Sequence, residues 1–362
     1  MKLSLKIKSI LFKFTAQKKY NNIFNPKTVK KILIIREGGI GDAICIYPLL
    51  HAIKRHIPEC EIDIYAGRTN HFMYKYTPYI NNIYIKYRKR YWYRTFLELF
   101  KMKKRKYDLC IDTTIIRFTR SIHTMFINPA FTIAVEDDDH RYGFNRKELS
   151  FYHTTYPQPI NMHVTEHNLQ FLQFLHIDDK SNNLDFFLPI DKIEASKKFL
   201  SAYKEFKTIG LNTDGTSDKR TLSETQILKI LNRTKHPDVR VILFCMPHKR
   251  DYFNKLITTN NLKNVSLTYE TKDIYDAAAI IQNLDLLISP DTSFVHIASA
   301  FNTPIVGLYW NTPVKTVIWG PLSTNQYIVT APKVGECSLV NINIDTVVKE
   351  SFRLLNISQE VI

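Results

Sequence analysis

Two parts of this chain repeat one alternation: a short, almost wholly apolar run, a turn, then a segment of helical period. The first series opens with KKILIIR (Lys30 to Arg36) and the helical PLLHAIKRH (Pro48 to His56). It continues through EIDIYAG (Glu61 to Gly67), YDLCIDTT (Tyr107 to Thr114), FTIAVE (Phe131 to Glu136) and the helical HVTEHNLQFLQFL (His163 to Leu175). The second runs TIGLNT (Thr208 to Thr213), SETQILKILNRT (Ser223 to Thr234), VRVILFCM (Val239 to Met246), KDIYDAAAIIQNL (Lys272 to Leu284), DLLIS (Asp285 to Ser289) and IVGLYW (Ile305 to Trp310). Runs that are apolar at every position, rather than at alternate ones, suit strands buried on both faces of a parallel sheet. Helices between such strands predict an α/β protein of two Rossmann-like domains. The polar, turn-rich DKSNNLDFFLPID (Asp179 to Asp191) predicts the joint, giving domains 1–182 and 183–362, the latter closing on a helix over 345–355. Ligands of such folds sit at the carboxyl ends of the strands.

The 362 residues suffice for two cores of ordinary size. Five scattered cysteines (Cys45, Cys60, Cys110, Cys245, Cys337) without a CxxC pair argue against a disulfide framework or a structural zinc, and predict a reducing, cytoplasmic setting. No run approaches the roughly 18–20 apolar residues of a membrane span, and lysines interrupt MKLSLKIKSILFKF as a signal peptide. The net charge of +16 predicts an anionic partner. It is concentrated in a basic amino-terminal segment, residues 1–29, and in KYRKRYWYRTFLELFKMKKRKY (Lys86 to Tyr107), which holds ten basic residues and the single acid Glu98. Aromatic residues among the cations could stack on bases, but no nucleic-acid-binding pattern accompanies them and no nucleic acid is expected. As an amphipathic helix, this cluster would turn Trp92, Phe96, Leu99 and Phe100 inward.

Three turns carry the candidate chemistry. IIREGGIGDAIC (Ile34 to Cys45) has the glycines Gly39 and Gly41 of a phosphate cradle, yet it lacks the third glycine of a dinucleotide fingerprint and the Lys-Ser/Thr of a P-loop. It delivers Asp42 to a helix start, where a carboxylate either caps the helix or serves as a general base. LNTDGTSDKRTLS (Leu211 to Ser223) places Thr213, Lys219 and Arg220 beyond a strand end, as a surface ion-pairing group or as a diphosphate-neutralising one. LLISPDTSFVHIASAF (Leu286 to Phe301) sets Asp291, Thr292 and Ser293 between strand and helix, with His296 one turn on, as a cap and a packed histidine or as ligand contacts. The Asp-x-Asp of Glu136 to His140, with Asp137 and Asp139, is the one candidate for a divalent metal.

Together these blocks resemble the lipopolysaccharide heptosyltransferases, glycosyltransferase family 9, over about Lys30 to Leu355. ILIIREGGIGDAICIYPLLHAIKRHIPECEIDIYAG is similar to the family's opening strand, Gly-Asp loop and Pro-x-Leu helix. HRYGFNRKELSFYH and HVTEHNL resemble its mid-chain segments, and LLISPDTSFVHIASAFNTPIVGLYW its Asp-Thr-Gly-x-x-His helix and Pro-led strand. The resemblance implies a GT-B fold, with two domains facing a central cleft, and inverting, metal-independent transfer from a nucleotide-activated sugar, mostly ADP-heptose, to the inner core of lipopolysaccharide. It implies Asp42 as catalytic base on an acceptor-side loop with Gly39 and Gly41, Lys219 as the phosphate-binding lysine, and Thr213, Arg220, Asp291, Thr292, Ser293 and His296 as donor contacts. The amino-terminal domain would take an anionic, lipid-linked acceptor and the carboxy-terminal one the donor. Ser293 stands at a customary glycine, Trp310-Asn311-Thr312 at Gly-Pro-Thr, and Arg220-Thr221 at a basic–Trp pair. The basic clusters predict attachment to the inner face of the cytoplasmic membrane. The other readings are an epimerase of this fold acting on a soluble nucleotide sugar, and a non-catalytic binder of anionic glycans or nucleic acid.

Overall fold

The computed structural model describes residues 24–114, 118–136, 152–157, 161–334 and 338–358. The lysines of Lys2 to Lys19, the acidic Asp137 to Asp139 with His140, the segment from His140 to Phe151 and Cys337 lie outside them. The chain divides into two compact units, Met1–Asn183 and Leu184–Ile362.

In the first unit the elements run β1 (Lys31–Arg36), α1 (Ile40–Ile44), α2 (Tyr47–His56), β2 (Glu61–Gly67), β3 (Asn82–Lys86), α3 (Trp92–Arg105), β4 (Leu109–Asp112), α4 (Phe118–Ile127), β5 (Phe131–Val135), β6 (Thr154–Tyr156) and α5 (Val164–Leu169). The six strands are parallel, in the order β3-β2-β1-β4-β5-β6. Ile32 to Ile35 are fully buried because both faces of the sheet are covered. Leu33, Ile35, Tyr65 and Cys110 pack beneath Leu99 and Met102 of α3 and Ile127 of α4, while α2 and α5 pack against one another.

The second unit repeats the plan: α6 (Ile190–Leu200), β7 (Lys207–Asn212), α7 (Glu224–Arg233), β8 (Val239–Phe244), α8 (Arg250–Thr259), β9 (Val265–Leu267), α9 (Ile274–Gln282), β10 (Leu286–Pro290), α10 (Ser293–Phe301), β11 (Ile305–Asn311), α11 (Pro313–Trp319), β12 (Gln326–Val334) and α12 (Ile344–Leu355). Its sheet is again parallel, in the order β12-β11-β10-β7-β8-β9. Ile209, Leu211, Val241, Ile288, Val306 and Leu308 pack under Ile227 and Ile230 of α7, Phe253 of α8, and Val347 and Phe352 of α12. Side-chain caps start the helices where the sequence places them: Ser223 accepts from the Gln226 N–H, and Asp273 from Tyr275 and Asp276.

Three local expectations are corrected. HVTEHNLQFLQFL is not one helix: α5 stops at Leu169 and a 3₁₀ segment, Gln170–Leu175, follows. The short strands β3, β6 and β9 and the long edge strand β12 escape an apolar-run criterion because edge strands carry polar residues. In α3 the buried residues are Thr95, Leu99 and Met102, whereas Trp92 is 66%, Phe96 42% and Phe100 40% exposed. The inward stripe runs 95–99–102, and the next residue along is turned about 100° away from it.

One buried charge holds the first unit together. Asp63 on β2 is 0% exposed and accepts from Arg105 Nε (3.0 Å), the Tyr107 hydroxyl (2.7 Å) and Asn82 Nδ2 (2.9 Å). Removing it would leave Arg105 with Glu61 as its one remaining carboxylate among the described residues, and take an acceptor from two polar groups around a void. Asp63→Ala is therefore expected to cost the first unit about 3–5 kcal/mol, read as a lower urea midpoint for that unit's transition. A midpoint unchanged within error would show the cluster to be solvated and dispensable.

Candidate active site

Each sheet has a point where successive crossovers depart in opposite directions, between β1 and β4 in the first unit and between β7 and β10 in the second. The gap there is where a parallel sheet offers room and exposed backbone to a ligand. The sequence-predicted residues stand at these two points.

In the first unit β1 ends at Arg36, and Glu37-Gly38-Gly39 turn the chain into α1. Gly38 has φ +146°, and a Cβ there would lie 2.6 Å from the Asp42 carboxyl carbon. Only glycine lets this carboxylate fold back over the turn. Gly39 is the N-cap residue with ordinary φ, and Gly41 lies inside α1. Asp42 Oδ2 accepts the Gly39 N–H at 2.8 Å, so the capping role is real. Oδ1 meets Arg36 Nη2 at 2.9 Å, while Arg36 Nε donates to the Asp42 carbonyl (3.0 Å) and Nη1 to the Thr113 carbonyl beyond β4 (3.2 Å). Arg36 is 4% exposed, whereas the Asp42 side chain keeps 30% of its surface. A buried guanidinium thus fixes the carboxylate on one side and leaves part of it open to solvent.

The surrounding groups stiffen the turn. Thr69 Oγ1 donates to the Gly38 carbonyl (2.6 Å) and Asn70 Nδ2 to that of Arg36 (3.0 Å), both from the loop after β2. Asn168 Nδ2 donates to the carbonyl of Cys45 at 2.7 Å. His167 beside it is buried, and burial, helped by the Arg36 charge, lowers its pKa to about 4. It stays neutral next to the guanidinium. Sequence reasoning missed Arg36, although a lone cation closing an otherwise apolar central strand is the signal that could have found it.

In the second unit Asn212, the last residue of β7, joins two of the candidate loops. Its Nδ2 donates to Ser289 Oγ (3.0 Å), Thr292 Oγ1 (3.3 Å) and the Asp214 carbonyl (3.3 Å). Thr292 caps α10 by accepting the Phe294 N–H at 3.3 Å, so the free amides of that helix start open beside β7. Thr213 is 1% exposed, and its hydroxyl has no hydrogen-bond partner among the described residues. Lys219 and Arg220 sit on a 3₁₀ turn, Asp218–Arg220, before α7. Lys219 is exposed, with no partner for its ammonium among the described residues. Asp214 is neutralised by Lys249, at 2.6 Å, a contact between two loops that sequence spacing does not reveal. His296, in the first turn of α10, is 4% exposed, with its ring near that of Trp319 at a centroid distance of 6.0 Å. Among the described residues no group of three or more His, Cys, Asp or Glu could hold a metal, and Asp137 and Asp139 lie outside them.

A partly exposed carboxylate and, on the other sheet, a helix start tied to a loop that carries Lys219 and Arg220 can serve proton abstraction and anion binding respectively. Residues 101–341 match the family model described as glycosyltransferase family 9 (heptosyltransferase). The lipopolysaccharide core heptosyltransferase OpsX of Haemophilus influenzae is 22% identical over 297 residues, 81% of this chain and 83% of that protein. Among solved structures, a family 9 glycosyl transferase of Veillonella parvula aligns with a TM-score of 0.73 at 16% identity, covering 90% of this chain and 97% of the other. The Escherichia coli heptosyltransferase WaaC, solved with ADP, aligns at 0.68 and 16%, covering 90% and 99%. The fold is GT-B, and the chain is a glycosyltransferase belonging to glycosyltransferase family 9, the heptosyltransferases.

Proposed function

We propose that this protein transfers a heptose, with inversion, from ADP-heptose to the inner core of lipopolysaccharide, without a metal. The observation that carries this reading is the pair of switch-point arrangements: a half-open, Arg36-braced carboxylate on one sheet, and on the other a loop carrying Lys219 and Arg220 that leaves β7 where Asn212 is bonded to the start of α10. The heptose and the core acceptor are supported by the likeness to OpsX, and an adenine nucleotide by the likeness to a heptosyltransferase that binds ADP.

Asp42 takes the proton of the acceptor hydroxyl as that oxygen attacks the anomeric carbon, with Gly39 and Gly41 keeping the approach clear of side chains. Lys219 and Arg220 neutralise the leaving diphosphate, whose charge grows as the glycosidic bond breaks. The start of α10, with Asp291, Thr292, Ser293 and His296, and the hydroxyl of Thr213 supply the remaining donor contacts. Cations and helix amides thus do the work that a divalent ion does elsewhere.

The acceptor is lipid-linked, and we place the protein at the inner face of the cytoplasmic membrane. The solvent face of α3 supports this: Trp92, Tyr93, Phe96, Leu97 and Phe100 are all at least 40% exposed, among Arg90, Arg94, Lys101, Lys103 and Lys104. An aromatic face flanked by cations suits the interface of an anionic bilayer. No helix of the described residues is long and apolar enough to cross one.

Three outcomes test this reading. Asp42→Asn keeps the bond to Gly39 but abolishes the base, so kcat should fall roughly 10²–10⁴-fold with ADP affinity little changed. Normal turnover would leave Asp42 a cap only. Lys219→Ala should raise the donor KM and lower kcat, while activity in EDTA stays at the parent level. Loss in EDTA with recovery on Mn²⁺ or Mg²⁺ would transfer the role to Asp137 and Asp139. In flotation with vesicles of anionic lipid, the protein should rise at low salt and be released at high salt, and replacing Trp92, Phe96 and Phe100 by Ser should weaken recovery. Recovery indifferent to both changes would remove the membrane surface from the account.

A further inference from the structure

Trp310 and Arg220 form a contact that neither apolar packing nor ion pairing explains. Trp310 lies near the carboxyl end of β11, two residues beyond Leu308 and four beyond Val306, whose side chains pack beneath α7 and α12. It shares their side of the sheet. It is 8% exposed, its indole N–H has no hydrogen-bond partner among the described residues, and the register with β12 is irregular here, between Tyr309 and Asn311. A site needing only apolar volume would take phenylalanine or leucine without burying an orphaned donor.

The ring carries the Arg220 guanidinium, whose carbon stands 4.9 Å from the ring centroid. Arg220 has no carboxylate partner among the described residues, and its one side-chain hydrogen bond runs to Thr216 Oγ1 in its own loop, at 3.0 Å. Its backbone N–H donates to the Ser217 carbonyl at 2.9 Å, and its own carbonyl lies where a Cβ on Gly215 would stand. Because β10 lies between β7 and β11, about 10 Å separates the two outer strands. The loop after β7 therefore reaches past the end of β10, from which Asp291 to Ser293 leave, to lay its guanidinium on the indole. Without that ring a long, flexible, unpaired arginine would have no fixed place.

We propose that Trp310 is a positioning residue, its indole face holding the Arg220 guanidinium as a second cation, beside Lys219, for the diphosphate of a nucleoside diphosphate. This rests on the donor reading above. Trp310 itself need not touch the ligand. Planar, delocalised guanidinium stacks on the indole and presents its N–H edge to phosphoryl oxygens, which an ammonium at the same place could not do.

The test is a double-mutant cycle read as ADP affinity by titration calorimetry, with circular dichroism confirming each fold. Arg220→Ala and Trp310→Leu should each weaken ADP roughly 3- to 30-fold, and the double variant should be no weaker than Arg220→Ala alone. Trp310→Phe keeps a ring face and should stay within about threefold of the parent. If Trp310→Leu does not fold, Arg220→Lys carries the test: the charge remains but the stack does not, and ADP should weaken nearly as much as in Arg220→Ala. Losses that multiply in the double variant, or an Arg220→Lys protein binding ADP like the parent, overturn the proposal. So does an Arg220→Ala protein with parental affinity, and there Lys219→Ala separates the two readings. Weakened ADP in Lys219→Ala leaves the donor site standing without Trp310, whereas unchanged ADP removes both.

Discussion

A strand buried on both faces can show its chemistry only at its end. That constraint governs both sheets: Ile32 to Ile35 and Leu286 to Ser289 are wholly buried, so each segment becomes accessible only where it leaves the sheet. Where two neighbouring strands depart in opposite directions, the turns also separate and leave backbone amides uncovered. Asp42 stands at one such place, and the Asn212, Thr213 and Thr292 group at the other. The difference between them is electrical. The first supplies a carboxylate held by a buried cation, the second a helix start beside a loop that carries Lys219 and Arg220 and whose Asp214 is paired with Lys249.

Arg36 shows how the site is paid for in structure. An arginine ending a central strand would be a serious burden if left alone in the core. Here two of its donors are taken by the Asp42 and Thr113 carbonyls, and its charge is paired with the Asp42 carboxylate 2.9 Å away. One group therefore joins the turn after β1 to the end of β4 and holds the carboxylate in a single orientation. The capping and chemical readings of Asp42 are not rivals, because a base must be held still and the cap helps to hold it.

The central strands were legible because continuous apolar runs have few other solutions, and β2 spans Glu61–Gly67 as its sequence predicts. Edge strands such as Asn82–Lys86 and Val265–Leu267 were not, since half their hydrogen-bonding groups and many side chains face water. The exposure of Phe96 and Phe100 could not be read either, because aromatics three and four apart mark an apolar stripe without saying whether protein covers it. At the site, the sequence showed which residues end the strands but not what they touch. Arg36 looks like the polar end of a strand, and Trp310 and Arg220, distant in sequence, meet only through the order of the strands. The glycine-rich turn was visible as a turn, yet its demanding position, Gly38, becomes apparent only once the Asp42 carboxylate is seen to occupy the space of a side chain.

Gly38 has a consequence for how this protein can vary. Its backbone angle and the neighbouring carboxylate exclude every side chain by the same contact, so no substitution there can spare both the turn and Asp42. At Gly39 an added Cβ would meet Asp42 Oδ2 only at 3.6 Å, so the fold itself tolerates a side chain there. The two glycines thus answer to different demands: one is required by the shape of the turn, the other only by what must approach it. A small residue at Gly39 would leave the carboxylate where it is, whereas any residue at Gly38 would move it.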